Sequence, residues 1–165
     1  MNCMPSSILR GAAFSAVGLM GVCWNLAAQD SVYVEDTIRA QVREGLTLAA
    51  AAKASVAAFF LANQAAPANR VAAGMTPNAA DSQGEYVASV EIARGEVIVT
   101  YGVEAHATLT GKVLVMTPFV TPDQSLAWQC GFATLPITGA AAIDANTSNT
   151  STTVDTEYLP RSCRE

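Results

Sequence analysis

The chain has 165 residues, one domain's length, with 51% hydrophobic and 14% charged residues, a balance that excludes a disordered polypeptide and can sustain a core. Nine Lys+Arg against fourteen Asp+Glu leave a net charge of −5 with no basic run, which argues against a nucleic-acid surface because phosphate contacts supply most of that affinity. One histidine and four scattered cysteines offer little for a catalytic metal centre, so composition points to a structural or binding protein.

Residues 1–28 read as a hydrophobic export segment. A lone Arg10 precedes the uncharged stretch from Gly11 to Ala28, and the small residues Ala27 and Ala28 suit cleavage, giving a mature start near Gln29. An uncleaved anchor is the alternative, because eighteen uncharged residues lie at the short end of a bilayer span. Val22 stands where lipid attachment at Cys23 requires a small residue. Cleavage would remove Cys3 and Cys23 and leave Cys130 and Cys163 as a pair, which in an oxidising compartment reads as a disulfide.

Residues 29–165 form the folded part. Val34, Ile38, Val42, Gly45, Ala49, Ala52, Val56 and Phe59 recur at spacings of three and four, which predicts a helix over 31–64. Asp30 or Ser31 is the candidate cap, and Glu35 stands four residues before Arg39 as a helical ion pair. The alanine-rich middle predicts a narrow stripe that a sheet approaches closely. Residues 65–84, rich in Ala, Asn, Gly and Pro, form a long connecting loop of the kind that often carries function.

The sheet spans 86–130. Tyr86, Ala88, Val90 and Ile92 alternate with Val87, Ser89 and Glu91; Arg94-Gly95 turns the chain into Glu96–Tyr101; and Lys112–Thr117 and Leu126–Cys130 supply two more strands. A helix followed by four meandering strands predicts an α+β roll. Residues 130–163 make the bridged loop, and its run from Asp144 to Thr153 is polar and low in complexity, which predicts a mobile exposed segment that packs no core. Closing that loop contributes about 3–4 kcal/mol through denatured-state entropy.

No nucleophile elbow, phosphate-binding loop, dinucleotide fingerprint or paired-histidine metal motif occurs, so neither catalysis nor a cofactor is expected. His106 reads as a solvated loop residue, and Glu85, Glu91 and Glu96 as a solvated sheet face.

Thr37-Ile-Arg-Ala-Gln-Val-Arg-Glu-Gly-Leu-Thr-Leu-Ala, then Pro67-Ala-Asn with Ala72-Ala-Gly, Tyr86-Val-Ala-Ser-Val, Trp128-Gln-Cys130 and Tyr158-Leu-Pro-Arg-Ser-Cys163 together resemble the bacterial type IV pilins of the major-subunit class, from about Thr37 to Arg164. The resemblance implies a pilin roll, with a long N-terminal helix on a four-stranded antiparallel sheet and the cysteine-bounded loop as the variable exposed region. It implies a structural pilus subunit or pilus-associated protein that contributes to adhesion, exported to the cell surface. Its partners would be other pilin subunits, pilus machinery or a surface receptor, with no nucleic acid and with a membrane only through residues 11–28 if uncleaved. Assembly or binding contacts are expected at Arg39, Arg43, Tyr158, Leu159, Pro160 and Arg161. Arg39, Arg43, Arg161 and Arg164 are read as too few and too separated to hold DNA.

The family's Gly-Phe-Thr-Leu-Ile-Glu motif has no counterpart: Gly11 is followed by Ala12-Ala13-Phe14-Ser15-Ala16, and no glutamate occurs from Met1 to Val34. The acidic contact thought to set register between subunits is therefore expected to be missing. That departure motivates the alternative reading of a soluble exported or periplasmic pilin-like binding module that recognises a partner through Gly131–Ser162 or Pro67–Gly84.

Overall fold

The three-and-four spacing is realised as one helix, α1, over Val22–Asn63. A computed structural model of the chain describes residues 22–135, 137–144 and 150–164. Most of the export segment thus lies outside the described residues. The chain divides into two compact units, 1–34 and 35–165. In the first, every described residue is helical, and Val32, Tyr33 and Val34 are exposed. Asp30 and Ser31, the expected caps, lie inside α1 and not at its start.

In the second unit α1 buries Ile38, Val42, Ala49, Ala52, Val56 and Phe60. Two expected members of that stripe differ: Val34 is 44% exposed, and Phe60 takes the place expected of Phe59. About seven turns of 3.6 residues keep pace with that stripe, so neither difference is a drift of period, and Val34 belongs to the first unit. The helix ends where Gln64 turns to φ 52° and donates its N–H to the Phe60 carbonyl at 2.8 Å, a left-handed stop.

Strands β1 (Val87–Ala93), β2 (Glu96–Tyr101), β3 (Val113–Val120) and β4 (Leu126–Cys130) pair antiparallel in that order, and a two-residue strand, β5 (Ala141–Ala142), adds to β3. The β1–β2 hairpin turns on Arg94 and Gly95, both at positive φ (52° and 83°), the backbone that matches the twist of a two-residue connection. A register shift between Val87 and Ser89 breaks the expected alternation, so Val87 joins Val90 and Ile92 in the core while Ala88 is exposed. β3 runs through Pro118 to Val120. β3 pairs with β2 only as far as Met116, so Pro118 takes no bond from that ladder, and it stands opposite Trp128 in the β4 ladder.

The core joins the buried α1 stripe to Val87, Val90, Ile92, Val97, Val99, Tyr101, Leu114 and Met116, with Val154, Leu159 and Cys163 closing one end. Small residues on the helix permit this approach. A Cβ on Gly45 would meet the Tyr101 hydroxyl at 2.5 Å, and that hydroxyl donates to the Val42 carbonyl at 3.1 Å.

The connecting loop is anchored, and so is the described end of the polar stretch expected to be mobile, of which residues 145–149 lie outside the described residues. In 65–84, Arg70 is 1% exposed and donates to the carbonyls of Thr76 and Val90 and to the hydroxyls of Thr76 and Ser82. In the polar stretch, the Val113 N–H donates to the Thr153 hydroxyl at 2.8 Å and the Val115 N–H to the Thr152 hydroxyl at 3.1 Å. Val154 follows fully buried. Threonine hydroxyls here serve the β3 edge where no strand covers it, which composition alone does not reveal.

Glu96 is also not solvated: it is 3% exposed and its carboxylate accepts the Thr117 hydroxyl at 2.8 Å. His106 is half-buried, its backbone N–H donated to the Gln41 side chain at 2.8 Å and its Nδ1 accepting from the Thr108 N–H at 3.3 Å.

Candidate functional site

The C-terminal segment alternates short 3-10 turns with extended residues. Thr156–Tyr158 and Arg161–Cys163 are turns, and Leu159 between them is extended (φ −71°, ψ 147°), as is Pro160 (φ −64°, ψ 157°). Proline fixes the φ that this geometry needs and has no N–H to leave unpaired. The alternation sends Leu159 and Cys163 inward, fully or almost fully buried, leaves Tyr158 half-buried against the core and leaves Arg161 exposed. Cys163 is bonded to Cys130 on β4 (S–S 2.08 Å, Cα–Cα 4.6 Å), and its carbonyl accepts the Phe132 N–H at 3.1 Å.

This segment lies beside the start of α1 in the second unit. Arg39, Arg43, Tyr158, Leu159, Pro160, Arg161 and Arg164 line one open cleft of about 320 Å³. All six expected surface residues therefore come together. Arg164 joins them, and the four arginines judged too separated in sequence share one wall in space. The disulfide and the buried Leu159 bring residues about 120 positions apart in the chain onto the same surface, a proximity that sequence distance conceals.

Two of the four guanidiniums are committed. Arg39 bonds Glu35 at 3.1 Å and Asp36 at 3.6 Å and donates to the Glu157 carbonyl at 3.2 Å. Arg164 donates to the carbonyls of Leu159 at 2.7 Å and Glu157 at 2.8 Å. The Glu157 carbonyl thus receives both, which ties the tail to the helix. The guanidiniums of Arg43 and Arg161, both on exposed residues, have no hydrogen-bond or ion-pair partner among the described residues. The Glu157 carboxylate beside the Tyr158 phenol raises its pKa, by hydrogen bond and then by charge. The four guanidiniums thus stand among the carboxylates of Glu35, Asp36 and Glu157, and the two that are unspent among the described residues have a geometry suited to carboxylate recognition.

Among the described residues no group of His, Cys, Asp or Glu could hold a metal ion.

Comparison with known proteins agrees with this architecture. Residues 38–164 match the family model for pilin, a bacterial filament. The chain is 33% identical over 168 residues to the type IV major pilin protein PilE1 of Neisseria gonorrhoeae, covering all of this chain and 90% of that protein. It is 32% identical over 169 residues to a fimbrial protein of Neisseria meningitidis serogroup A, covering all of this chain and 97% of that one.

Proposed function

The chain belongs to the pilin family of bacterial filaments, and on that premise we propose that it is a type IV pilus subunit, exported to the cell surface, whose helix packs against neighbouring subunits and whose filament contributes to adhesion. Its work is structural. Assembly with other pilin subunits follows from the family; a surface receptor is the further expectation.

The outward face of α1 supports this reading most directly. Between Arg43 and Asn63 the helix carries only two charges, Glu44 and Lys53. Glu44 turns aside to the start of β1, where it accepts the backbone N–H groups of Glu85 and Tyr86. Lys53 lies over the Trp128 ring with its Nζ 5.1 Å from the centroid, and burial lowers its pKa. Ala50, Ala51, Ala54, Ala58 and Leu61 remain exposed, Leu61 by 69%. A solvated helix normally carries charge on such a face; this one is smooth and neutral, as a helix packed among other helices needs to be. Within Val32–Asn63 one 18-residue window, of mean hydropathy 1.7, is apolar enough to cross a membrane by length and composition, a test that the core helix of a soluble protein also passes.

The cleft lined by Arg39, Arg43, Tyr158, Leu159, Pro160, Arg161 and Arg164 is the second part of the proposal, as a surface for assembly or binding. The covalent anchor at Cys163 and the double use of the Glu157 carbonyl support that role, since they hold the surface in one shape.

Shearing filaments from producing cells, with immunoelectron microscopy and N-terminal sequencing of the chain in each fraction, tests the reading. The expected result is the chain within surface fibres. Recovery only as a soluble exported species starting near Gln29 would overturn the subunit and leave the binding module.

A further inference from the structure

Arg43 and Glu44 are neighbours on α1, and successive helical residues point about 100° apart. Arg43 lines the cleft with Tyr158, Pro160 and Arg161, whereas Glu44 reaches to the backbone of Glu85 and Tyr86. A little over a quarter of a turn therefore separates two flanks of unlike charge. On the Glu44 flank, Glu85 and Glu104 border a shallow depression of about 230 Å³ floored by Val87, Ala88 and Gly102. Val103 stands at its rim 83% exposed.

Glu85 and Glu104 are exposed, and among the described residues neither has a cation within ion-pair distance. The only basic residue of the neighbouring 65–84 segment, Arg70, is buried and spent on carbonyls and hydroxyls. Among the described residues each flank thus offers two charges without an ion-pair partner, the Glu85 carboxylate accepting the Tyr86 phenol, beside Tyr158 and Pro160 on one side and Val103 and Ala88 on the other.

We propose that the arginine cleft of one copy docks on the Glu85–Glu104 depression of a second copy of this chain, with Arg43 and Arg161 meeting the two carboxylates. The inference rests on the subunit reading above and adds which surfaces meet. The occupant is a second copy because the complementary charge pattern is carried by the chain itself. The two patches differ, so the contact is heterologous and repeats in one direction, the property that builds an open helical filament instead of a closed dimer. Guanidinium–carboxylate pairs at the rim set register and partner choice, and the exposed Val103 supplies apolar contact.

The test follows self-association of the detergent-solubilised full-length chain by sedimentation at low and high salt. Two variants are compared: R43E with R161E, which reverses the cleft, and E85R with E104R, which reverses the depression. All four positions are exposed, and circular dichroism confirms that each variant keeps its helix content; if a reversal unfolds the chain, the neutral pair R161Q and E104Q replaces it. The expected result is association that weakens with salt, falls about tenfold or more in either variant alone and returns when the two variants are mixed, because each then meets a reversed partner. With the neutral pair, the expectation is loss in each alone. A monomeric unaltered chain at low salt, association indifferent to both changes, or no recovery on mixing folded variants overturns the proposal. So does saturable binding of a free oligophosphate in the cleft without self-association. Fibres on cells that persist in both variants remove the docking contact alone, whereas absence of fibres from the unaltered chain removes the subunit reading.

Discussion

Glu44 on α1 holds the backbone N–H of Tyr86 at 2.9 Å through one carboxylate oxygen, while the other oxygen takes the N–H of Glu85 at 2.6 Å. One side chain thereby fixes where the long connection ends and the sheet begins, and it aims β1 along the helix.

Replacing that carboxylate leaves two backbone donors without partners. Glu44→Ala is expected to cost about 2–3 kcal/mol, and Glu44→Gln, which keeps a single acceptor, about half of that. Urea denaturation measures both, and amide exchange at Glu85 and Tyr86 should quicken in proportion. Equal stability of all three proteins would mean that water replaces the carboxylate at no cost.

Arg70 performs the corresponding task inside the 65–84 segment, where its fork spans the carbonyls of Thr76 and Val90 and the hydroxyls of Thr76 and Ser82. Lysine offers a point charge on a flexible stem and cannot reach several acceptors in one plane. Arg70→Lys is therefore expected to destabilise by about 2–3 kcal/mol despite keeping the charge, and Arg70→Met by at least as much. Exchange protection across 67–84 should be lost first. A lysine variant with unaltered melting would show that the cation alone suffices.

These two anchors mark what the residue pattern conveys and what it hides. The helix face, the Arg94-Gly95 hairpin and the limits of β4 are legible because each depends on local periodicity or on turn conformation. Arg70, Glu96 and the Thr152–Thr153 edge contacts are not, because each satisfies a polar group by meeting a residue distant in sequence. The six surface positions were reachable from the resemblance and from the Tyr158–Cys163 string. That Arg164 joins them, with Arg43 and Arg161 left unpaired, depends on how the bridge folds the tail onto α1. Ala88 shows the same limit at short range: one extra residue in the strand reverses the side it faces.

Tyr101 couples helix and sheet to pH. Burial, followed by the Glu44 charge, raises its phenol well above the ordinary 10.0. A raised folded-state value means that the phenol's contribution to stability is complete below about pH 10 and is lost as the pH climbs towards the folded-state value. Melting temperature is expected to fall steeply above pH 10, and Tyr101→Phe should flatten that slope while costing about 1 kcal/mol at neutral pH through loss of the bond to the Val42 carbonyl. Tyr86 and Tyr158 are raised in the same direction, but both are exposed at the phenol and add little. Gly45→Ala is the steric companion experiment: despite its better helix propensity it should destabilise by about 1–3 kcal/mol, because the new methyl meets the Tyr101 hydroxyl.

The bridge between Cys130 and Cys163 closes a loop with a sequence separation of 33. Cys163→Ser is expected to lower stability by about 3–4 kcal/mol and to expose 150–164 to protease, with helix content largely retained. Cleft geometry should loosen at the same time, since Leu159 and Cys163 seat the segment that carries Tyr158 and Arg161. Identical melting with and without reductant, or two free thiols found by mass spectrometry in exported protein, would remove this account.

The neutral face of α1 makes the sharpest separation between folding and assembly. Ala54 is exposed, and none of the buried stripe depends on it. Ala54→Glu changes helix propensity by only a few tenths of a kcal/mol, so the isolated chain should melt within about 1 kcal/mol of the parent. In a fibre the same carboxylate would be taken from water and set among apolar helix surfaces without a cation, at a cost of several kcal/mol per subunit. Sheared fibre yield is expected to fall by about tenfold or more while export and the disulfide remain normal, and Ala54→Ser, small and neutral, should assemble close to the parent level. Abundant fibres from the glutamate variant would place this face in solvent within the filament, and the helix packing proposed for it would have to be abandoned.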